Sequence, residues 1–585
     1  MSIYDKASLV LIPSGTKTSK VYSQKPVNGD GDFTFSRSTA ATRVNADGNI
    51  EKETQNLLTY SNAFSSWGLN TGVSETSGQS GYDGSSDAWQ ISLTAAAGRL
   101  QESNTESGVQ TFSAYAKAGS LNWFRLFISA GSNVSAFFNL SSGVVGTTSN
   151  VIDTTIEAVS GATGWYKCSV TYNQTNASVR IYPATADNDL TATSGNIYIQ
   201  DAQLEQGLVA RDYIETTTAA VEGGITDNVP RLDYTDSSCP ALLLEPQRTN
   251  LASQSEAFTD TSYWSTTALD VIANDATSPE GVSNASFIRP TTANSGHQIY
   301  KTFSISAGTN TLSLFLKAGN YSKFRLYFYD GSTAHQVYGD CSDGSIHSTN
   351  ATDNVEDYGN GWYRYSVSST NVSFVNGNFT LRVVNDSYQD TWVPNGTDGL
   401  YIYGWQFEAG NYATSYIPTY GTSVTRNGDL STQVENFTDL PTSYPFAIYS
   451  EPYLTNAIGN GAWAFYENSH QYSYYSLRIT SQGKFNMLSR PQGVTQNEVN
   501  STSTYSEGFH KVLCVYENET TIKIYVNGAL EGTNSNCTNN SFKSDANDFL
   551  LGMFRGIDTS PCSIKQFMVF NNSLTDQEAI DLTTI

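Results

Sequence analysis

Basic residues are scarce in this chain: 31 Lys and Arg stand against 55 Asp and Glu, for a net charge of −24. A surface of that sign repels nucleic acid and anionic lipid, and no Lys/Arg cluster offsets it. Charged residues of all kinds make up only 15%, well under the usual quarter or so, and methionine occurs four times. Long hydrophobic runs are also missing. No stretch approaches the roughly 20 apolar residues that span a bilayer, so membrane insertion is not expected. ASLVLIP (7–13) is too short and poorly flanked for a secretory core, which predicts synthesis in the cytoplasm without a signal peptide. The six cysteines form no CxxC pair, which argues against zinc. Cys168 lies on a strand face with Tyr166 and Val170 and reads as a small core residue, while a Cys514–Cys562 or Cys537–Cys562 bridge stays open. HExxH, GxSxG and Walker-type loops are absent, and the five histidines are isolated.

What is present is a repeat. Asn56-Leu57 with Ser61 to Phe64 returns as Asn250-Leu251 with Ser255 to Phe258. TFSAYAKAG (111–119) returns as TLSLFLKAG (311–319), FRLF (124–127) as FRLY (324–327), and GWYKCSV (164–170) as GWYRYSV (361–367). The offset drifts from 194 to 203. Matching blocks with a drifting offset mean one fold used twice, with insertions confined to loops. Within each copy apolar residues alternate, as at Leu312, Leu314 and Leu316, and Gly/Asn/Asp turns intervene. That predicts short strands in a two-sheet sandwich with one buried face per sheet. The length of each copy suits a jelly roll.

The expected organisation is a β lead-in over 1–55, a first jelly roll over 56–222, a Pro-containing link over 223–250, a second jelly roll over 251–428, and a further sandwich over 429–585. In the last part, Val512, Cys514 and Tyr516 alternate, as do Ile522, Ile524 and Val526, which lead into the Asn527-Gly528 turn. Thr575 and Glu578 have the spacing of a capping box that opens a terminal helix.

These segments resemble known families. Residues 508–533, with SLTDQEAIDL, look like a laminin-G or concanavalin-A-like lectin domain, with Phe509-His510 where that family usually has Trp-His. GWQFEAGNYATSYIPT (404–419) and DAQLEQGLVARDYIET (201–216) resemble carbohydrate-binding-module jelly rolls of phage tail and adhesin proteins. RSTAATRVNADGNIE (37–51) and VPRLDYTDSSCPALLLEPQRTNL (229–251) resemble the lead-in of those phage proteins. The resemblance implies an all-β chain: tandem jelly-roll sandwiches, then a concanavalin-A-like sandwich. It further implies a non-enzymatic bacteriophage tail-fibre or head-fibre-like adhesin on the virion surface that binds host polysaccharide. The alternative is a structural decoration protein that contacts other virion proteins. A homotrimer follows from how phage fibres are usually built. No cofactor is required, although such families often hold structural calcium. Residues 1–55 would dock on the virion while the lectin-like end projects outward.

Sugars meet proteins through exposed aromatic rings beside amides and carboxylates. Trp165 and Trp362, shared by both copies on a strand, read as framework, as do Trp67 and Trp264. The unshared residues Trp392, Tyr388 and Asp390, in SYQDTWVPNGTDG (387–399), and Trp123, which stands where the second copy has Lys323, are the carbohydrate-binding candidates. Glu205 and Glu408 recur at one repeat position, and the shared task expected of them is to close a strand end. No catalytic residue is assigned. Asn28, Asp30 and Asp32 have the spacing of a calcium loop, but Phe33 and Thr39 stand where an EF-hand needs Gly and Glu.

Overall fold

The computed structural model describes residues 2–235, 237–305, 307–370, 374–433, 437–454, 461–467, 470–480, 482–490, 495–542, 548–554, 558–559 and 562–584. Nearly all regular structure is strand. The first copy has a six-stranded sheet in the order Asp153–Ala158, Trp165–Asn173, Val109–Ala118, Asn196–Gln206, Ala88–Leu93, Val73–Gln79. It packs on a five-stranded sheet in the order Leu100–Ser103, Asn176–Ala184, Trp123–Ala130, Val134–Asn139, Val144–Ser149. The second copy repeats this strand for strand: Thr352–Asp357, Trp362–Ser369, Asn310–Ala318, Leu400–Ala409, Ala285–Pro290, Leu269–Ala276. Its facing sheet runs Ser265–Thr267, Ser295–Ile305, Phe374–Val383, Lys323–Tyr329, Ala334–Asp340, Ser345–Thr349, with Thr391–Trp392 paired on Ser295–Ile305.

Both copies bulge at one place. The register slips between Ser113 and Tyr115 in one, and between Ser313 and Phe315 in the other. The extra residues opposite are Asp201 (φ 54°) and Gly404 (φ 63°). A Cβ at Gly404 would come within 2.9 Å of the Phe315 ring, so glycine suits that left-handed position.

The expectation of one buried face per sheet fails for the sheet that contains Asn310–Ala318. Leu312, Leu314 and Leu316 enter the sandwich core, yet Phe315 on the opposite face is also fully buried. It packs with Trp362, Tyr403, Tyr416 and, from the lead-in, Ile50. Neighbouring parts of the chain cover the middle of this sheet, while its edge strands Leu269–Ala276 and Thr352–Asp357 keep exposed residues.

The lead-in and link are not appendages. Leu9–Leu11 pairs with Cys562–Phe570, and Ala241–Leu244 extends the same sheet. Phe33–Ser36 pairs with Leu430–Gln433 in the facing sheet. Leu9, Leu11, Val21, Phe33, Phe35, Leu242 and Leu244 are core residues of the C-terminal sandwich. Short apolar strands such as SLVLI and ALLL cannot bury themselves, and the 429–585 sheets offer them unpaired edges. Residues 9–36 are thereby built into the same sandwich as the lectin-like strands. Within that sandwich, the strands Val512–Tyr516 and Ile522–Val526 and the Asn527-Gly528 turn form as the pattern requires. Thr575 Oγ1 accepts from the Glu578 amide at 3.2 Å and caps the helix Asp576–Thr583.

Two buried ionic clusters tie these parts together. Arg37 of the lead-in, Arg231 and Glu245 of the link, Arg426 at the end of the second copy and Asp429 just beyond it are each at most 4% exposed. Arg37 Nη1 donates to Asp429 Oδ1 at 3.0 Å and Arg231 Nη1 to Glu245 Oε2 at 2.6 Å, while Arg426 also pairs with Glu245 and Arg231 with Asp429. Burial alone would raise the Glu245 carboxyl, but Arg426 and Arg231 reverse this and hold it well below the ordinary carboxylate range. In the second cluster Lys52 donates to Glu256 at 3.1 Å and to Glu280 at 2.5 Å, and Glu280 also pairs with Arg211 of the first copy.

Candidate functional site

The face that best fits a ligand is the outer surface of the sheet that contains Trp123–Ala130 in the first copy and Lys323–Tyr329 in the second. On the strand Trp123–Ala130, Phe124, Leu126 and Ile128 are fully buried in the sandwich, so Trp123, Arg125 and Phe127 point outward. Lys323, Arg325 and Tyr327 do the same in the second copy. This is the period-two alternation of FRLF and FRLY. Cross-strand register then sets the neighbours. Arg125 lies opposite Tyr182 and Phe137, and Phe127 lies opposite Arg180 and Ser135. In the second copy Arg325 lies opposite Arg382 and Tyr338, and Tyr327 opposite Gln336.

In the first copy the Arg125 guanidinium sits 4.1 Å from the Phe127 ring centre, 5.2 Å from Tyr182 and 5.4 Å from Phe137. Its Nε donates to Ser135 Oγ at 2.8 Å. Arg180 lies 5.3 Å from Phe127 and donates from Nε to Ser178 Oγ at 3.1 Å. Arg99 lies 6.0 Å from Tyr182, its Nε bonded to Gln101 at 2.8 Å. Stacking and the Nε bonds fix the planes of these groups; Arg180 Nη1 also reaches the Tyr182 hydroxyl at 3.5 Å, and the terminal N–H groups of Arg99 and Arg125 have no hydrogen-bond partner among the described residues. Burial, opposed by Tyr182 and reinforced by Arg180, lowers the Arg125 pKa. Trp123 flanks the group on the same face, its ring lying against Gly146, where an added Cβ would approach within 2.6 Å.

In the second copy the insertion expected to bind sugar arches over the equivalent face. Asp390 Oδ2 accepts from Arg325 Nη1 at 2.5 Å and from Arg382 Nη1 at 2.9 Å, and Tyr338 donates to its Oδ1 at 3.3 Å. Tyr388, at φ 58°, stacks on His347 with ring centres 3.9 Å apart and lies 5.3 Å from the Lys323 ammonium. Trp392 is half-buried rather than free on its loop. It pairs with Ser295 at the sheet edge, donates to the Val383 carbonyl at 3.4 Å, and meets Tyr321 and His297 edge-on. The structure therefore brings Tyr388 and Asp390 onto one face, puts Trp123 on the corresponding face of the other copy, and sets Trp392 at the rim. The arginines were not among the candidates. The available signal was Arg125 and Arg325 at the same place in both copies, between residues that point inward.

The shared tryptophans are framework. Trp165 and Trp362 are buried, and the Trp67 and Trp264 indoles donate to the carbonyls of Tyr60 and Gln254, both at 3.1 Å. Glu205 and Glu408 close strand ends as expected: each accepts from its neighbouring glutamine and from a backbone amide of the following loop, Arg211 and Thr414, both at 2.9 Å. Burial raises both carboxyls. His510 is held between the Ser506 carbonyl and Asn527. All six cysteines are free thiols. Asp32 accepts from Lys20 and Ser23 instead of facing Asp30. Among the described residues no group of three His, Cys, Asp or Glu side chains is placed to hold a metal ion.

A concavity of about 520 Å³ opens where the lead-in meets both copies, lined by Lys52, Glu53, Glu106, Asp260, Tyr263 and Tyr420 among others. Burial, with Glu222 and Asp227 nearby, pushes the Glu53 carboxyl up to about 7.

The family model described as the concanavalin A-like lectin/glucanases superfamily matches residues 426–579. The curated proteins yielded no match. Among solved structures the chain is similar to the Ruminococcus gnavus IT-sialidase CBM40, at 20% identity over 24% of this chain and 83% of that one, with a TM-score of 0.22. It is similar to the leech intramolecular trans-sialidase, at 20% identity over 25% and 24% of the two chains and a TM-score of 0.22. The botulinum neurotoxin serotype G binding domain matches at 15% identity over 26% and 39%, again with a TM-score of 0.22. The chain is an all-β protein of tandem sandwiches, and its residues 426–579 match the concanavalin A-like lectin/glucanases model.

Proposed function

We propose that this chain is a glycan-binding surface protein of a bacteriophage virion, a tail-fibre or head-fibre-like adhesin for host polysaccharide. One observation carries the reading: the same guanidinium-on-aromatic sheet face is built twice, in two sandwiches locked together with a lectin-like third. Aromatic rings and fixed N–H forks suit sugar C–H faces and oxygens. Binding, not bond cleavage, is the chemistry supported, because Asp390 and Asp340 on the second face are each held by cations. The virion context rests on the resemblance of residues 37–51 and 229–251 to phage lead-ins, and a trimer belongs to the same proposal. One lectin-type site binds at about millimolar strength, near −4 kcal/mol. Several tethered sites gain about 10²–10⁴-fold, which a repeated module on a multi-copy virion would use.

A glycan array and a host-cell binding assay with the purified chain test the reading. Retention of host polysaccharide that rises with display valency is expected. No retention on densely coated beads would contradict it. A second reading, a decoration protein contacting other virion proteins, draws support from the closure of the second face by its own Asp390. Capture of virion proteins in place of polysaccharide would favour it.

A further inference from the structure

The two copies of the face differ in one respect that bears on ligand charge. In the second copy, a loop carboxylate sits between two guanidiniums and a phenol. In the first copy Arg125 is kept, but the shorter loop brings no carboxylate to it. Asp187 on that loop accepts from the Thr147 amide at 2.7 Å and its hydroxyl at 2.9 Å, and Asp189 from the Thr191 amide at 2.8 Å. Arg99, Arg125 and Arg180 form no ion pair among the described residues, although the chain carries a net charge of −24. Guanidiniums massed on an apolar floor repel one another, and an anion relieves that repulsion. Among the described residues the chain supplies none.

We propose that the first sandwich binds an anionic saccharide, one bearing carboxylate or sulfate groups, on Arg99, Arg125 and Arg180 beside Trp123. The second sandwich holds a self-closed version of the same site, in which Asp390 occupies the place of the ligand's acid group. The inference rests on the glycan-binding reading and names the ligand class. Trp123 supplies a ring at the rim for a sugar face, and the arginine forks take the acid. Binding of this kind weakens as salt rises.

The test uses the full chain on an array of carboxylated, sulfated and neutral oligosaccharides, with poly-glutamate as a polypeptide control. Titration of the best binder against variants follows. The wild type is expected to prefer acidic glycans. Arg125→Gln with Arg180→Gln should weaken them by about tenfold or more and weaken neutral glycans distinctly less. Asp390→Asn should add acidic-glycan capacity, taking this site's stoichiometry from one toward two. Arg125→Lys, which keeps the charge but loses the fork, should fall between, and serves if the double variant melts early. Binding of neutral glycans alone, or acidic-glycan binding untouched by the arginine variants, overturns this inference and leaves the glycan reading standing. Binding of poly-glutamate with no glycan bound, or no binding of any probe, overturns both.

Discussion

At the residue scale, similar aromatic residues do different work according to which sheet face they occupy. Trp362 is 1% exposed and donates to the Thr277 carbonyl at 3.0 Å. Trp362→Ala should cost about 3–5 kcal/mol, the usual result of emptying a large core site. Trp123→Ala leaves the fully buried Phe124, Leu126 and Ile128 in place and should shift the melting temperature little while weakening saccharide binding. Thermal melts beside a binding assay separate the two; a large melting shift with unchanged binding for Trp123→Ala would return it to framework. Glu53 gives a pH prediction. A folded-state pKa raised to about 7 means the folded chain holds a proton that the unfolded chain has released. Its contribution is full below the ordinary carboxylate pKa and is lost as pH rises through about 7. Relative to wild type, Glu53→Gln should therefore melt higher at pH 8 and nearly equally at pH 4. An equal offset at both pH values would show that the carboxyl does not titrate in this way.

At the scale of elements, the repeated strands were legible because alternation and turn residues are local. The hairpin of 512–526 and the capped C-terminal helix were legible for the same reason. The partners of the lead-in strands were not: Leu9–Leu11 pairs with a strand more than 500 residues away, and a short apolar run does not declare its neighbour. RSTAATR and the VPRL…LLLEPQR segment resembled phage lead-ins as text, and the structure gives a physical reason for their composition. Arg37, Arg231 and Glu245 are three of the five charges in one buried cluster. Removing a single charge from such a cluster leaves the others uncompensated. Glu245→Gln should cost about 3–5 kcal/mol, measured by denaturant unfolding. Because the Glu245 carboxyl is depressed, its contribution is present above the ordinary carboxylate pKa and lost as the solution is acidified below it. A loss under 1 kcal/mol for Glu245→Gln would mean the cluster holds nothing together.

At the scale of the molecule, the chain closes on itself. The first strands complete the last sandwich, and Lys52, Glu280 and Arg211 join the lead-in to both repeats. Deleting residues 1–36 should expose the apolar edge that Leu9, Leu11, Phe33 and Phe35 cover and destabilise the C-terminal sandwich while the two repeats stay folded. Limited proteolysis reads this directly: cleavage is expected within 429–585, and unchanged resistance there would show that the sandwich does not need its N-terminal strands. The candidate site was half-legible at this scale. Comparing the copies singled out Trp123, Tyr388 and Asp390, because an unshared residue stands out in an alignment of two. The arginines escaped because what sets them apart is a missing counter-charge, which only the assembled face reveals.

The central claim is that the repeated sheet face takes the glycan, and amide hydrogen exchange with and without a bound acidic oligosaccharide tests it most directly. Protection is predicted to rise in Trp123–Ala130, Asn176–Ala184 and Leu100–Ser103, the strands that carry Arg125, Arg180 and Gln101. Protection confined to the lectin-like strands Val512–Tyr516 and Ile522–Val526, with none on the first sandwich, would contradict the account.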